Sequence, residues 1–200
     1  ILNLTPDHLN RHHTMDAYGQ AKAKVFKNQS EDGYLVINKD DVDCYRLARS
    51  CKAKIVPFSI EEKLPFGAYI HDGKIVISEE SGTALEICDV SDVKIIGRHN
   101  LANVVAAAAI SYFAGIDISF IRRGIAEFGG VEHRIEFCGE INGVKYYNDS
   151  KGTNTDAAIT AIKAIEKNII LIAGGDAKEQ DFSEFAKLLK GKVKTKILLG

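Results

Sequence analysis

The stretch YYNDSKGTNTDAA, residues 146–158, places an acid, a base, a glycine and two threonines between Asp149 and Thr155. An alternating apolar run precedes it and an Ala- and Ile-rich helical pattern follows. The bend therefore falls at the carboxyl end of a strand and the amino end of a helix that begins near Asn154. Helix N-termini carry unpaired N–H groups and a partial positive charge, which attract phosphate. Lys151 adds a full positive charge suited to a terminal phosphate, and Gly152 lets a backbone approach closely. Asp149 can accept hydrogen bonds from a ribose or hold a metal-bound water. A capped loop with a solvated lysine has the same composition, so spacing alone leaves both readings open.

LIAGGDAKEQDF, residues 171–182, repeats the logic: a hydrophobic strand runs into Gly174-Gly175, then Asp176 and Lys178. Ligands of open α/β sheets bind beyond the carboxyl ends of the strands, and two such loops on neighbouring strands would face one cleft. The alternative is an ordinary strand-to-helix turn. Asn100 and Asn103, in GRHNLANVVAA, sit on the first turn of a helix, where an amide can cap the helix or read an adenine edge. Arg134, in EHRIE, falls at a presumed domain junction. A planar guanidinium there suits phosphate clamping, and equally an interdomain ion pair.

LTPDHLNRHHT, residues 4–14, clusters Asp7, His8, His12 and His13. Pro6 and the lack of an apolar period argue for a loop or short turn, without a third strong ligand for zinc. One histidine in an oxygen-rich magnesium site fits better if phosphates are the partner. The chain contains no GxxxxGK[ST] loop, so a reading as an ATP enzyme has to find its phosphate loop elsewhere.

The elements that must position these residues follow from periodicity. Thr14 caps a helix over 14–26. YLVIN (34–38) and KIVPF (54–58) are strands on either side of a helix, and 68–78 is a hairpin turning at Asp72-Gly73. Residues 100–115 form a strong helix stopped by Gly115. A second helix is capped by Ser119 and closed by Gly129-Gly130. A hairpin then turns at Asn142-Gly143. Helix 155–166, strand 168–175, helix 182–190 and a last strand from 194 follow, an alternation that implies parallel strands with crossover helices. The fold class is α/β in two parts, 1–130 and a Rossmann-like 131–200. Both ends read as cut from something longer.

At 200 residues, 46% hydrophobic and 26% charged, the chain has the make-up of a globular protein with a sizeable core. Its formal net charge of −1 lacks the basic footprint of nucleic-acid binding, and no apolar run approaches membrane-span length. The four cysteines, Cys44, Cys51, Cys88 and Cys138, form no CxxC pair. Reduced thiols in a cytoplasmic protein are the expectation.

Taken in order, LTPDHLNRH, AKAKVF, GRHNLANVVAAAA, HRIE, NDSKGTNTDA and GGDAKEQDF resemble the signatures of the Mur ligase family of peptidoglycan synthesis. The NDSKGTN form is most similar to the member that adds D-glutamate to UDP-N-acetylmuramoyl-L-alanine. The family has a UDP-binding first domain, a P-loop-type central ATP-binding domain and a Rossmann-like third. The resemblance implies that 1–130 is the later part of the central domain and 131–200 the early part of the third. The phosphate loop then lies upstream of Ile1, and this segment alone is expected to be inactive.

The resemblance implies roles for individual residues. His8 would bind a magnesium ion, and Lys22, rather than Lys24, would be the lysine that becomes carbamylated. That change turns an amine into an oxygen ligand for a hard cation; without it, either lysine is an ordinary snorkelling side chain. Asn100 and Asn103 would contact adenine, Asp149 ribose, and Arg134 an ATP phosphate. Lys151 and Thr153 would stand near the terminal phosphate and the acyl-phosphate, and Lys178 would bind D-glutamate. Gly152 departs from the family, where Ala is common. ATP and Mg2+ are the implied cofactors, and the enzyme would work as a cytoplasmic monomer. A folylpolyglutamate synthase-like amide ligase and a non-catalytic nucleotide-binding module are the alternatives. A Rossmann dehydrogenase would need a GxGxxG that is absent.

Overall fold

The computed structural model describes residues 1–6, 8–166, 168–175 and 182–199. They divide into two compact units. The first comprises Ile1–Val93 and Leu101–Phe128, the second Lys94–Asn100 and Gly129–Gly200.

The first unit is built on a five-stranded sheet. Its strands are β1 (Tyr34–Asn38), β2 (Lys54–Ser59), β3 (Gly67–His71), β4 (Lys74–Ser78) and β5 (Ala84–Asp89), in that spatial order. β1, β2 and β3 run parallel, and β3, β4 and β5 form an antiparallel meander. The 68–78 hairpin forms as read. Asp72 and Gly73 take φ of 49° and 74°, a pair of left-handed residues that matches the twist of a two-residue turn. β5 was not legible in the sequence. Its alternation, Leu85 against Ile87, is short and broken by a register shift opposite Ile75 and Val76.

Ile37, Val56, Phe58, Ala68, Ile75 and Ile77 are fully buried, each large aliphatic contributing about 2 kcal/mol by leaving water. Three buried hydroxyls are paired: Ser59 donates to Asp40 at 2.5 Å, and Tyr69 shares a 3.1 Å bond with Ser78. β3 begins at Gly67 for a steric reason. A Cβ there would lie 2.0 Å from the Pro57 carbonyl oxygen, and the residue has φ of 110°.

Short helices flank the first strand: α1 (Leu9–His12) and α2 (Met15–Ala23) precede β1, and α3 (Val42–Leu47) follows it. Thr14 caps α2 by accepting from Ala17 N at 3.1 Å. The helix read as reaching residue 26 ends at Ala23 and tightens into a 3₁₀ turn over Lys24–Phe26, which buries Phe26 and leaves Val25 exposed. Asp41 caps α3 through Cys44 N at 2.9 Å and also accepts from Leu4 N at 2.8 Å, tying the N-terminal segment to the end of β1. α4 (Arg98–Phe113) buries Val104, Val105, Ala106, Ala108 and Ala109. α5 (Ile118–Glu127) is capped by Asp117, which accepts from Ser119 N at 2.8 Å. Ser119 is therefore the bonded residue rather than the cap expected of it. The carboxylate reaches the N–H two positions on, as Asx caps do.

The second unit holds the hairpin β6 (Glu136–Ile141) and β7 (Val144–Asn148), then α6 (Thr155–Ala164), β8 (Ile169–Gly174), α7 (Ser183–Lys192) and β9 (Val193–Leu199). The hairpin turns at Asn142-Gly143 as read, with φ of 52° and 78°. β8 and β9 pair in parallel. α6, α7 and the start of β9 meet through Ile162, Leu189 and Val193. Lys192 Nζ donates to the carbonyls of Lys163 at 3.0 Å and Ile165 at 2.9 Å, a cation closing the negative end of α6. β7 pairs with β6, and β8 with β9, in separate sheets. The loops after β7 and β8 thus do not follow neighbouring strands, contrary to the sequence reading.

Candidate active site

In the second unit the bend after β7 is bonded back onto the turn that enters β6. Asn154 caps α6, accepting from Ala157 N at 2.8 Å, so the helix N-terminus stands at the bend. Gly152 N donates to the Asp149 carbonyl at 2.8 Å, and Thr153 N to the Lys151 carbonyl at 2.9 Å. Three bonds cross to the entering turn. Lys151 N donates to the His133 carbonyl at 3.0 Å, and Ile135 N donates to Asp149 Oδ1 at 3.0 Å. Asn148 Nδ2 lies 2.9 Å from His133 Nδ1. Arg134 is carried between His133 and Ile135, both left-handed with φ of 66° and 45°. Non-glycine residues in that region cost about 1 kcal/mol or more each and persist only when bonds hold them. The three crossing bonds do so here.

Arg134, Lys151 and Thr153 are exposed, while Asp149 is half-buried with one carboxylate oxygen engaged. A Cβ on Gly152 would lie 2.6 Å from Asp149 Oδ2, so glycine leaves that second oxygen undisturbed over the bend. His99 belongs to the same neighbourhood. Burial lowers its pKa from 6.5, the Arg134 charge lowers it further, and Asp149 opposes them. Gly97, with φ of 100°, admits the His99 ring and the Ala164 methyl, which a Cβ would meet at 2.8 and 2.9 Å. The backbone bonds bring Arg134, Asp149 and Lys151 to one hairpin base, and His99 feels the charges of the first two. His133, Asn148, Gly97 and His99 were not singled out in the sequence. Their signal is two histidines, a glycine and an asparagine in or beside short connecting stretches, which only the observed bonds distinguish from ordinary loops.

Asn100 is buried and donates its amide to the Ile96 carbonyl at 2.8 Å, so this part of its side chain braces the start of α4. Asn103 is half-buried one turn on. Lys178 and Asp176 lie outside the described residues.

In the first unit Lys22 is half-buried and Lys24 exposed. Lys22 Nζ donates to the Asn3 carbonyl at 3.2 Å and lies 5.1 Å from the centre of the Tyr18 ring, which in turn stacks on His12 at 5.3 Å. His8 is exposed, with left-handed φ of 53°, at the head of α1. Among the described residues no three His, Cys, Asp or Glu side chains gather closely enough to hold a metal ion. As an ammonium, Lys22 donates and is no ligand; a carbamate on Nζ would present two oxygens instead.

All four cysteines are unpaired. Burial pushes the Cys44 thiol up to about 12 and the Cys88 thiol up to about 11, which makes both poor nucleophiles.

The fold has counterparts among known proteins. Residues 1–111 match the Mur ligase middle domain, and residues 133–200 match the Mur ligase, glutamate ligase domain. The chain belongs to the Mur ligase family. It is 50% identical over 200 residues to the UDP-N-acetylmuramoylalanine--D-glutamate ligase of Thermoanaerobacter sp. (strain X514), all of this chain and 44% of that protein. It is 44% identical over the same span to the ligase of that name from Clostridioides difficile (strain 630), again 44% of that protein. The chain thus spans less than half the length of these relatives. Among solved structures, MurF from Acinetobacter baumannii superposes with a TM-score of 0.74 at 16% identity, over 100% of this chain and 46% of that one. Escherichia coli FolC in complex with DHPP and ADP gives 0.66 at 20% identity, over 98% of this chain and 45% of that one. These likenesses show the shared fold.

Proposed function

We propose that this chain is part of an ATP-dependent amide ligase that joins D-glutamate to UDP-N-acetylmuramoyl-L-alanine. A carboxylate oxygen of the nucleotide-sugar substrate attacks the γ-phosphorus of ATP, and ADP leaves. The amine nitrogen of D-glutamate then attacks the acyl carbon of the acyl-phosphate. Phosphate departs with that oxygen, and the amine gives up a proton. Residues 1–130 are read as the later part of the central ATP-binding domain and 131–200 as the early part of the third.

The observation that carries the reading is the bonded pair of segments in the second unit, which presents Arg134, Lys151 and the α6 N-terminus together. Preorganised cations and N–H groups stabilise the charge that develops on a migrating phosphoryl group, and they do so without reorganisation cost. Asp149 Oδ2 is assigned to ribose, Asn100 and Asn103 to adenine, Thr153 to the acyl-phosphate, and Lys178 to D-glutamate. Asn100 spends one amide hydrogen on Ile96, which leaves its oxygen and its second N–H for the base.

Magnesium takes one or two protein donors beside phosphate oxygens and water, so His8 and a carbamylated Lys22 suffice in number. When bound, the metal would offset repulsion between carboxylate and triphosphate. Among the described residues no helix is long and apolar enough to cross a membrane. A cytoplasmic monomer, where ATP and reduced thiols coexist, completes the reading.

The test is ligation by the full-length protein. With ATP, D-glutamate should be joined to UDP-N-acetylmuramoyl-L-alanine, with one phosphate released per amide. Ligation of glutamate to a folate in its place would favour the second amide-ligase reading, which the FolC likeness keeps in view. ATP binding with neither ligation would favour a binding module.

A further inference from the structure

We infer that His133 is a positioning residue: as its neutral Nε2–H tautomer it pins the turn carrying Arg134 to the bend carrying Lys151. The inference rests on the ligase reading for its consequence in catalysis, but the pin itself follows from hydrogen-bond chemistry. Ser150 N donates to Asn148 Oδ1 at 3.0 Å. A backbone N–H can only donate, so the atom it meets must be the amide oxygen. The Asn148 orientation is thereby fixed, and its NH2 faces His133 Nδ1 at 2.9 Å. An amide NH2 has no acceptor capacity. Nδ1 must therefore be the acceptor and bear no proton, which leaves the proton on Nε2.

A competing partner makes this choice consequential. Glu136 Oε2 lies 3.5 Å from the same Nδ1 and accepts the His133 backbone N–H at 2.7 Å. An Nδ1–H would turn away from Asn148 and toward this carboxylate. The Nε2–H form instead keeps the ring on Asn148, while the His133 carbonyl receives Lys151 N at 3.0 Å. His133 thus touches the bend through its ring and its carbonyl at once. Its neighbour Arg134 inherits that registration, and so does Lys151 on the other side. His133 itself is exposed and left-handed, with φ of 66°.

The experiment uses the full-length protein with histidine ¹⁵N labels. Near pH 8, above the usual imidazole range, long-range ¹H–¹⁵N correlations should show His133 with Nδ1 bare and Nε2 protonated. Asn148→Asp replaces the donor by an acceptor and should move the proton to Nδ1. His133→Asn keeps an acceptor at the Nδ1 position and tolerates the left-handed backbone, so it should retain most activity. His133→Ala, Asn148→Ala and Asn148→Asp should each lower kcat/KM for ATP by about tenfold or more, since small misplacements of charged groups are costly. Hydrogen exchange of Lys151 N–H should speed up in His133→Ala and Asn148→Ala and stay slow in His133→Asn. A protonated Nδ1 in the parent protein, or equal behaviour of His133→Asn and His133→Ala, would overturn the inference. The tautomer and exchange readouts need no ligation, so absence of ligation would sink the ligase reading alone.

Discussion

Asp149 Oδ1 accepts the backbone N–H of Ile135 at 3.0 Å, a bond that joins the two ends of the β6–β7 hairpin across 14 positions. One oxygen of the carboxylate is thereby structural, and the other is left over Gly152. On the proposed reading, one oxygen holds the hairpin base together and the other is the atom assigned to ribose.

That division separates two substitutions. Asp149→Ala removes the acceptor of the N–H of a buried residue and should destabilise the protein by about 1–3 kcal/mol. Asp149→Asn keeps Oδ1 as acceptor and should cost much less, while still weakening nucleotide binding. Denaturant melts beside ATP titrations of the full-length protein check both.

Gly97→Ala should be among the more damaging small substitutions. The added methyl would meet the His99 ring at 2.8 Å and the Ala164 methyl at 2.9 Å, on a backbone with φ of 100°. Strain and overpacking together should cost about 2 kcal/mol or more, read as a lowered midpoint in thermal or denaturant unfolding.

His99 should give the protein an acid-sensitive component. Burial and Arg134 lower its folded pKa below the 6.5 of the free side chain. The unfolded chain then binds the proton more readily than the folded one. No stability is lost above the unfolded value; it is lost as pH falls below it and through the lowered folded value. His99→Gln should flatten this part of the stability–pH curve, measured by melts from above neutrality into the mildly acid range.

How much of this was legible beforehand varies by element. β1 and the two hairpins were legible because an apolar run bounded by Asp-Gly or Asn-Gly has few other solutions, and β2 because its short apolar run favours a buried strand. The strand-to-helix bend at 148–154 was readable for a similar local reason, since Asn154 offers a helix cap and Gly152 a tight turn. β5 was missed since its alternation is short and irregular. The cap of α5 was misassigned from Asp117 to Ser119, since both types cap helices and only the bond decides. The pins around Arg134 were beyond reach: His133, Asn148 and Ile135 act through bonds spanning a hairpin, and sequence separation hides such pairs. The choice of Lys22 over Lys24 rests on resemblance, because two lysines two positions apart in one helical stretch offer no local signal that separates them.

Lys22→Ala should remove most ligase activity of the full-length protein, because the proposed oxygen donor to the metal goes with the side chain. Short carboxylates added to the assay should restore part of it, by returning an oxygen ligand to the gap. Full activity of the variant without additive would remove the carbamate from the account.

The most direct measurement is single-turnover ligation by full-length Lys151→Ala and Arg134→Ala, followed with D-glutamate and with release of phosphate. Loss of one preorganised donor should slow the chemical step by about a hundredfold or more. Both side chains are exposed, so the melting midpoints should stay near that of the parent protein. Parental rates in both variants would contradict the claim that the hairpin-base cluster is where the phosphoryl group is transferred.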